Sequence, residues 1–325
     1  MELMPEQKLI LVYVGPGEGA EIVRDVAVDR FEIQCLSPVA ETVSRGLQRA
    51  AALLDASMAV RITKSMIDAA PHLRVVATAT TGADHIDAHA LAQRGIPLFT
   101  LQGQQDVLSQ LTPAAEHSWL LLMACARRLV AARDHVLAGG WTRTEFPGIM
   151  LRGKTLGIIG CGRIGRWMAR YAETFGMTCV GYDPHLHDWP PTIRRIELDQ
   201  LLSAADFITV HVHLTEETRG LLGRVHFEQM KPGTIFINTS RGELIDEGAL
   251  LEQLRNGRIA AAGLDVLSGE PQVRDHPLRQ YAIEHDNLLV TPHIGGHCPE
   301  AVGVVVRFSA ERILRHFGFS PCMVG

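Results

Sequence analysis

The 325-residue sequence has no C-x-x-C pair; its six cysteines stand apart at positions 35, 125, 161, 179, 298 and 322. Neither a disulfide framework nor a metal site of zinc type is expected, and reduced thiols in a cytoplasmic setting fit that scatter. No apolar run approaches the ~18 residues needed to cross a bilayer, so no membrane partner is expected. The opening stretch, MELMPEQK, lacks the basic start and apolar core of a signal peptide. No long basic run appears and the formal net charge is −5, which argues against nucleic acid as a partner. Internal repeats and low-complexity segments are missing too. What remains is 46% hydrophobic and 21% charged, and long enough for about two domains with real cores.

Short apolar runs alternate with amphipathic stretches along most of the chain. Strands are expected at residues 9–14, 31–36, 58–61, 73–79 and 96–101, with helices or amphipathic stretches at 20–29, 40–54 and 85–93. Gly15 to Gly19 reads as a flexible loop, because it lacks the spacing of a phosphate-binding turn. Residues 102–111 are polar and irregular, a candidate hinge. Pro113 then opens a long apolar helix over 114–138, whose apolar circumference suits burial between domains or subunits. Later strands are expected at 207–212, 233–238, 260–266 and 288–291, and helices at 247–255 and 299–317. Such alternation predicts an α/β protein with mostly parallel sheets and helices on both faces.

The most informative stretch is KTLGIIGCGRIGRWMARYAETFGMTCVGYDP, residues 154–184. Leu156 to Ile159 reads as a buried strand. Gly160-Cys161-Gly162-Arg163-Ile164-Gly165 fits G-x-G-x-x-G, and apolar residues at 164, 167, 168, 171 and 175 then recur at helical spacing. Gly160 permits a tight turn, Gly162 lets backbone reach a pyrophosphate, and Gly165 lets the helix pack on the strand. The helix N-terminus supplies free N–H groups and a positive dipole end. A second strand, 178–182, ends in Asp183, whose carboxylate can accept from both ribose hydroxyls and repels a 2′-phosphate. The stretch predicts NAD rather than NADP as cofactor.

Further blocks follow in fixed order: VRITK, TTGADHID, TPAAEHSWLLLMACAR, ADFITVHVHLTEETRGLL, MKPGTIFINTSRGELIDEGALL, AAAGLDVLSGEP and NLLVTPHIGGHCPEA. Together with the glycine-rich stretch they resemble the D-isomer-specific 2-hydroxyacid dehydrogenases, in particular the catalytic part of phosphoglycerate dehydrogenases, over residues 58–304. The resemblance implies two doubly wound parallel-sheet domains. A Rossmann cofactor domain, 105–293, is inserted into a flavodoxin-like split substrate domain, 1–104 plus 294–325, with the active cleft at the hinge. It also implies a homodimer formed through the cofactor domains. A C-terminal regulatory domain is not expected.

Reduction of a 2-keto acid needs a cation for the substrate carboxylate, a proton donor near the forming alkoxide, and a group that keeps that donor protonated. By resemblance these are Arg241 in NTSRG, His293 in TPHIGG and Glu270 in SGEP. A guanidinium makes paired bonds to a carboxylate, an imidazole titrates near neutral pH, and a carboxylate on the far ring nitrogen fixes its tautomer. The resemblance also assigns cofactor contacts to Thr81, Arg163, Ile164, His211, Val212, Thr239, Ser240, Asp265, Gly295 and Gly296. Arg61, Thr81, Gly82 and Ala83 join Arg241 and His293 as candidates for holding substrate. Arg61 either reaches a phosphate or second carboxylate or is a strand-end surface residue.

Two residues depart from the family pattern. His213 stands where proline is usual, and His297 where a small residue is usual. His297, four residues after His293, either shares a helical face with it and adds positive charge or is simply a helix N-terminal residue. The His185-Leu186-His187-Asp188 run reads as a solvated loop rather than a metal site. The expected activity is interconversion of a 2-keto acid and a D-2-hydroxy acid, with a phosphoglycerate-type or other anionic-tailed substrate. Glyoxylate/hydroxypyruvate reduction and D-lactate-type dehydrogenation are alternatives. Formate oxidation is disfavoured because formate enzymes of the family carry glutamine at the Glu270 position. An NAD(H)-sensing protein of corepressor type is the alternative from another class.

Overall fold

Most of the apolar runs are too uniformly hydrophobic for half-solvated strands, and the computed structural model buries the central ones on both faces, as parallel sheets require. It describes residues 8–27 and 29–320. The expectations for the first seven residues and for Cys322 fall outside that range, as does Val28. Two compact units result, one comprising the described residues up to Leu111 with those from His297 onward, the other Thr112–Gly296. The sequence expectation set these joints at 104/105 and 293/294.

The first unit holds a five-stranded parallel sheet of β1 (Leu9–Val14), β2 (Phe31–Leu36), β3 (Ala52–Asp55), β4 (Val75–Thr78) and β5 (Leu98–Phe99). Its order is β2-β1-β3-β4-β5, the flavodoxin-like order. Val12, Val14, Leu53 and Val76 fill one face of the sheet, and Leu11, Tyr13, Leu54 and Val75 the other. The C-terminal helix Pro299–His316 packs Val302, Val306, Ala310 and Ile313 onto the second face.

The second unit holds seven parallel strands: β6 (Thr155–Ile159), β7 (Thr178–Tyr182), β8 (Arg194–Arg195), β9 (Phe207–Val210), β10 (Thr234–Asn238), β11 (Ile259–Leu264) and β12 (Leu288–Val290). The order β12-β11-β10-β9-β6-β7-β8 is the Rossmann order with a seventh strand added. The edge strand β8 is two exposed arginines, a charge that blunts edge pairing. Along β6, Ile158 and Ile159 point into opposite cores, the period-2 alternation of a strand covered on both sides.

Several local expectations are corrected. No strand forms at 58–61, where Met58 takes a left-handed conformation with φ +54° that an extended run does not admit; the strand is β3, which begins inside the stretch read as amphipathic and ends at Asp55. Gly17 and Gly19 are not a loop but the first turn of helix Gly17–Ala27. The long helix over 114–138 is two helices, Pro113–Ala126 and Leu129–Leu137, broken where Arg128 adopts φ +48°. The candidate hinge contains a short helix, Gln105–Leu108. Helix Arg163–Thr174 buries Gly165, Met168, Ala169 and Ala172; its larger apolar residues lie at the margin, where Tyr171 meets the rings of Trp119 and Trp167.

Candidate active site

The loops after β6, β7, β9, β10, β11 and β12 all leave the carboxyl ends of parallel strands, where open α/β sheets bind ligands. Gly160 follows β6 with φ +89°, and a Cβ there would stand 2.3 Å from the His211 carbonyl oxygen. A Cβ on Gly165 would stand 2.3 Å from the Gly160 carbonyl oxygen, so the helix seats on the turn only without a side chain. Gly162, the N-cap residue of helix Arg163–Thr174, has no atom within 4 Å of a built Cβ. That opening beside free helix N–H groups fits a pyrophosphate.

Asp183 follows β7. Its carboxylate accepts from the Cys161 amide at 3.0 Å and the His185 amide at 3.1 Å, which fixes it beside the turn with lone pairs to spare for a ribose. His211 follows β9; its Nε2 bonds Thr209 Oγ1 at 2.8 Å, and its buried Nδ1 has no partner. Burial, then the neighbouring Arg163, pushes its pKa down to about 3, so the ring is neutral. Burial likewise lowers the pKa of Arg163. Glycine turn, helix terminus and carboxylate together fit a dinucleotide with a free 2′-hydroxyl.

Arg241 follows β10. Asn238 Nδ2 donates to the Arg241 carbonyl at 2.8 Å, Asn238 Oδ1 accepts from Ser240 N at 3.0 Å, and Arg241 Nη1 donates to the Ser240 carbonyl at 2.7 Å. Ser240 Oγ donates to the Val210 carbonyl, and Thr239 Oγ1 lies 2.7 Å from Ser118 Oγ. The loop is thereby tied to β9 and to helix Pro113–Ala126. His293, after β12, adopts φ +55°, uncommon for a residue other than glycine. Its Nδ1 lies 2.6 Å from Glu270 Oε1, with the two side chains 26% and 30% exposed. With Nδ1 donating to the carboxylate, Nε2 is left for chemistry.

Asp265, 1% exposed, organises the His293 loop. Its Oδ1 accepts from Thr291 Oγ1 at 2.5 Å and Ile294 N at 2.9 Å, and Oδ2 from Gly295 N at 2.7 Å. His117 Nε2 lies 3.3 Å from Oδ1 and 2.9 Å from Thr291 Oγ1. Burial alone would raise the Asp265 pKa; the His117, Thr291, Ile294 and Gly295 hydrogen bonds outweigh it and hold the pKa below the ordinary value. The Asp265 carbonyl also accepts from His293 N at 2.8 Å. Glu247 supports the neighbouring loop: Oε1 accepts from Ser268 N at 2.9 Å, and Oε2 lies 3.0 Å from His276 Nε2.

His117, Thr291, Glu247 and His276 escaped the sequence reading. His117 and Thr291 are separated by 174 positions, so no spacing rule joins them. His213 is exposed and Val212 half-buried. Residues His293 to His297 form no helical turn, so the shared-face reading of His297 fails; the helix begins at Pro299. Arg61, Thr81, Gly82 and Ala83 belong to the first unit, where Arg61 is exposed. His185, His187 and Asp188 are exposed, and among the described residues no cluster of three His, Cys, Asp or Glu could hold a metal ion.

Residues 119–295 match the family described as D-isomer specific 2-hydroxyacid dehydrogenase, NAD binding domain. A hydroxypyruvate reductase of Thermotoga maritima is 36% identical over 260 residues, 80% of this chain and 83% of that protein. A D-3-phosphoglycerate dehydrogenase of Archaeoglobus fulgidus is 40% identical over 234 residues, 70% of this chain and 43% of that protein. A crystal structure of a Thermus thermophilus protein superimposes with a TM-score of 0.82 at 32% identity, covering 96% of this chain and 98% of that one. The chain belongs to the D-isomer specific 2-hydroxyacid dehydrogenases, and the glycine turn with Asp183 lies in its NAD binding domain. It spans about half the length of the D-3-phosphoglycerate dehydrogenases it matches, 43 to 51% of them.

Proposed function

We propose that the protein interconverts a 2-keto acid and a D-2-hydroxy acid with NAD. The observation that carries this reading is the His293–Glu270 pair at 2.6 Å, in a unit that belongs to this family's NAD binding domain. When bound, NAD accepts or donates a hydride. His293 Nε2 gives a proton to the forming alkoxide and takes it back in the reverse direction. Glu270 holds the ring by Nδ1 and stabilises its protonated form. Arg241, fixed through Asn238 and Ser240, pairs with the substrate carboxylate. Gly160, Gly162, Arg163, Ile164 and Gly165 take the pyrophosphate and Asp183 the ribose. His211, Val212, Thr239, Ser240, Asp265, Gly295 and Gly296 line the rest of the cofactor path. Replacing His293 with Asn should remove most turnover, ~10²-fold or more, and leave NADH affinity nearly intact. Unimpaired turnover in that variant would refute the assignment.

The reading extends to a cytoplasmic homodimer joined through the second unit. The five cysteines among the described residues are free thiols, which suits a reducing compartment, and among the same residues no helix is long and apolar enough to cross a membrane. Leu120, Leu129, Val136, Leu137 and Trp141 are all exposed, Trp141 by 87%. An apolar surface of that kind favours a partner subunit. Light scattering at micromolar concentration checks it; a monomer would contradict it.

A further inference from the structure

The loop that carries Glu270 is held at both ends by one carboxylate to which the catalytic reading gives no part. Glu247 stands in the first turn of helix Glu247–Arg255, where the helix dipole suits a negative charge. Its Oε1 accepts from Ser268 N at 2.9 Å, shortly after β11. Its Oε2 lies 3.0 Å from Nε2 of His276, the N-cap residue of helix Pro277–Glu284. His276 Nδ1 accepts from Leu278 N at 3.3 Å, so the ring hydrogen sits on Nε2 and is donated to Glu247. Glu247 therefore brackets residues 268–276, and Glu270 lies inside the bracket.

Within the loop, Glu270 N bonds the Leu267 carbonyl at 3.3 Å, Gln272 N that of Gly269 at 3.1 Å and His276 N that of Val273 at 3.1 Å. Such bonds shape turns without tying the loop to the rest of the unit. The two Glu247 bonds do tie it, across 21 and 29 positions of sequence. They are sheltered: the Glu247 and His276 side chains are 12% and 13% exposed. Backbone covers them too, since a Cβ on Gly242 would stand 2.1 Å from Ser268 N and 2.9 Å from Glu247 Oε1. Hydrogen bonds to a carboxylate in so dry a place are strong and directional. Glu270 is less enclosed at 30% exposure, yet its Oε1 lies 2.6 Å from His293 Nδ1. A carboxylate on a loop of turns keeps that distance when the ends of the loop are fixed.

We propose that Glu247 and His276 are positioning residues for the reaction, setting the loop so that Glu270 meets His293. The inference rests on the function proposed above, and every residue in it belongs to the second unit. Glu247→Gln cannot serve both ends. Its single carbonyl oxygen accepts from Ser268 or from His276, and its NH2 then faces the other donor. The ring cannot adapt, because an Nε2 that accepts gives up the Leu278 cap. His276→Asn keeps an acceptor for Leu278 N, but its side chain is shorter than the ring and releases that arm of Glu247.

The test follows NADH oxidation by a 2-keto acid in single turnovers, well below the unfolding transition. Each variant should slow the step about tenfold, the scale of a small misplacement of a reacting group. NADH affinity should stay within about threefold, because the glycine turn and Asp183 are untouched. The deciding readout is a double-mutant cycle. In a Glu270→Gln background, Glu247→Gln and His276→Asn should each cost less than about twofold, since the group they position is gone. A merely structural role would repeat the full loss there. That additive result, an unchanged rate in both single variants, or loss of NADH binding in both overturns this inference alone. Wild-type protein that reduces no 2-keto acid overturns the proposed function and this inference with it.

Discussion

Replacing Asp265 with Asn swaps one carboxylate oxygen for an amide NH2 at almost constant volume. If the remaining oxygen takes the Oδ1 place, it keeps Thr291 Oγ1 and Ile294 N, but the NH2 then faces the amide of Gly295, which is buried. Stranding that donor costs ~1–3 kcal/mol. The two retained bonds lose their charge assistance, about 1 kcal/mol each. The opposite flip is worse, because two donors then face the NH2. Relief from burying a charge offsets part of this, leaving a net loss of about 2–4 kcal/mol, large against a typical stability of ~5–15 kcal/mol. All four tryptophans, at 119, 141, 167 and 189, lie in the second unit. Urea unfolding followed by tryptophan fluorescence therefore reports this unit, and the midpoint shift with its slope gives the loss. The difference should also depend on pH. The folded pKa of Asp265 lies below its ordinary value, so its contribution is complete above the unfolded pKa of ~3.9 and fades as pH falls through the folded value. Wild type and Asp265→Asn should converge in acid. A loss under ~0.5 kcal/mol at pH 7, or a gap that widens in acid, would refute the reasoning.

Asp183→Ala should weaken NADH binding and narrow the gap between NADH and NADPH by about tenfold, the worth of one charge-assisted hydrogen bond; fluorescence titration with both nucleotides checks it. Gly160→Ala places a Cβ 2.3 Å from the His211 carbonyl at φ +89°, and should cost ~2 kcal/mol or more of stability together with most NADH affinity. Burial pushes the Cys125 and Cys161 thiols up to about 12 and the Cys179 thiol up to about 11, whereas Cys35 is exposed. Alkylation of native protein at pH 8, mapped by peptide mass, should therefore modify Cys35 well before those three.

The second unit was legible because its chemistry is carried by local spacing. A glycine turn, a helix N-terminus and a strand-end Asp183 lie within one short stretch, and Gly160 and Gly165 answer steric demands that the fold then displays. The first unit was harder to read. Residues 40–54 show a continuous apolar pattern in which helix Ala40–Leu47 and β3 merge; the strand stops at Asp55, whose carboxylate accepts from the Ser57 and Met58 amides. The break at Arg128 was hidden for a related reason: helical periodicity continues across a single left-handed residue. The supports of the site, His117 on Asp265 and His276 on Glu247, were invisible because each joins residues far apart in the chain. Hydrogen bonds between loops at neighbouring strand ends leave no periodic trace.

The central claim is tested most directly by the stereochemistry of the product. The purified protein is given NADH and a 2-keto acid that it reduces, and the hydroxy acid is resolved by chiral chromatography. The account predicts NADH consumption matched one to one by a single product of D configuration, lost in His293→Asn. An L product, a racemate, or NADH oxidation without a hydroxy acid would contradict it.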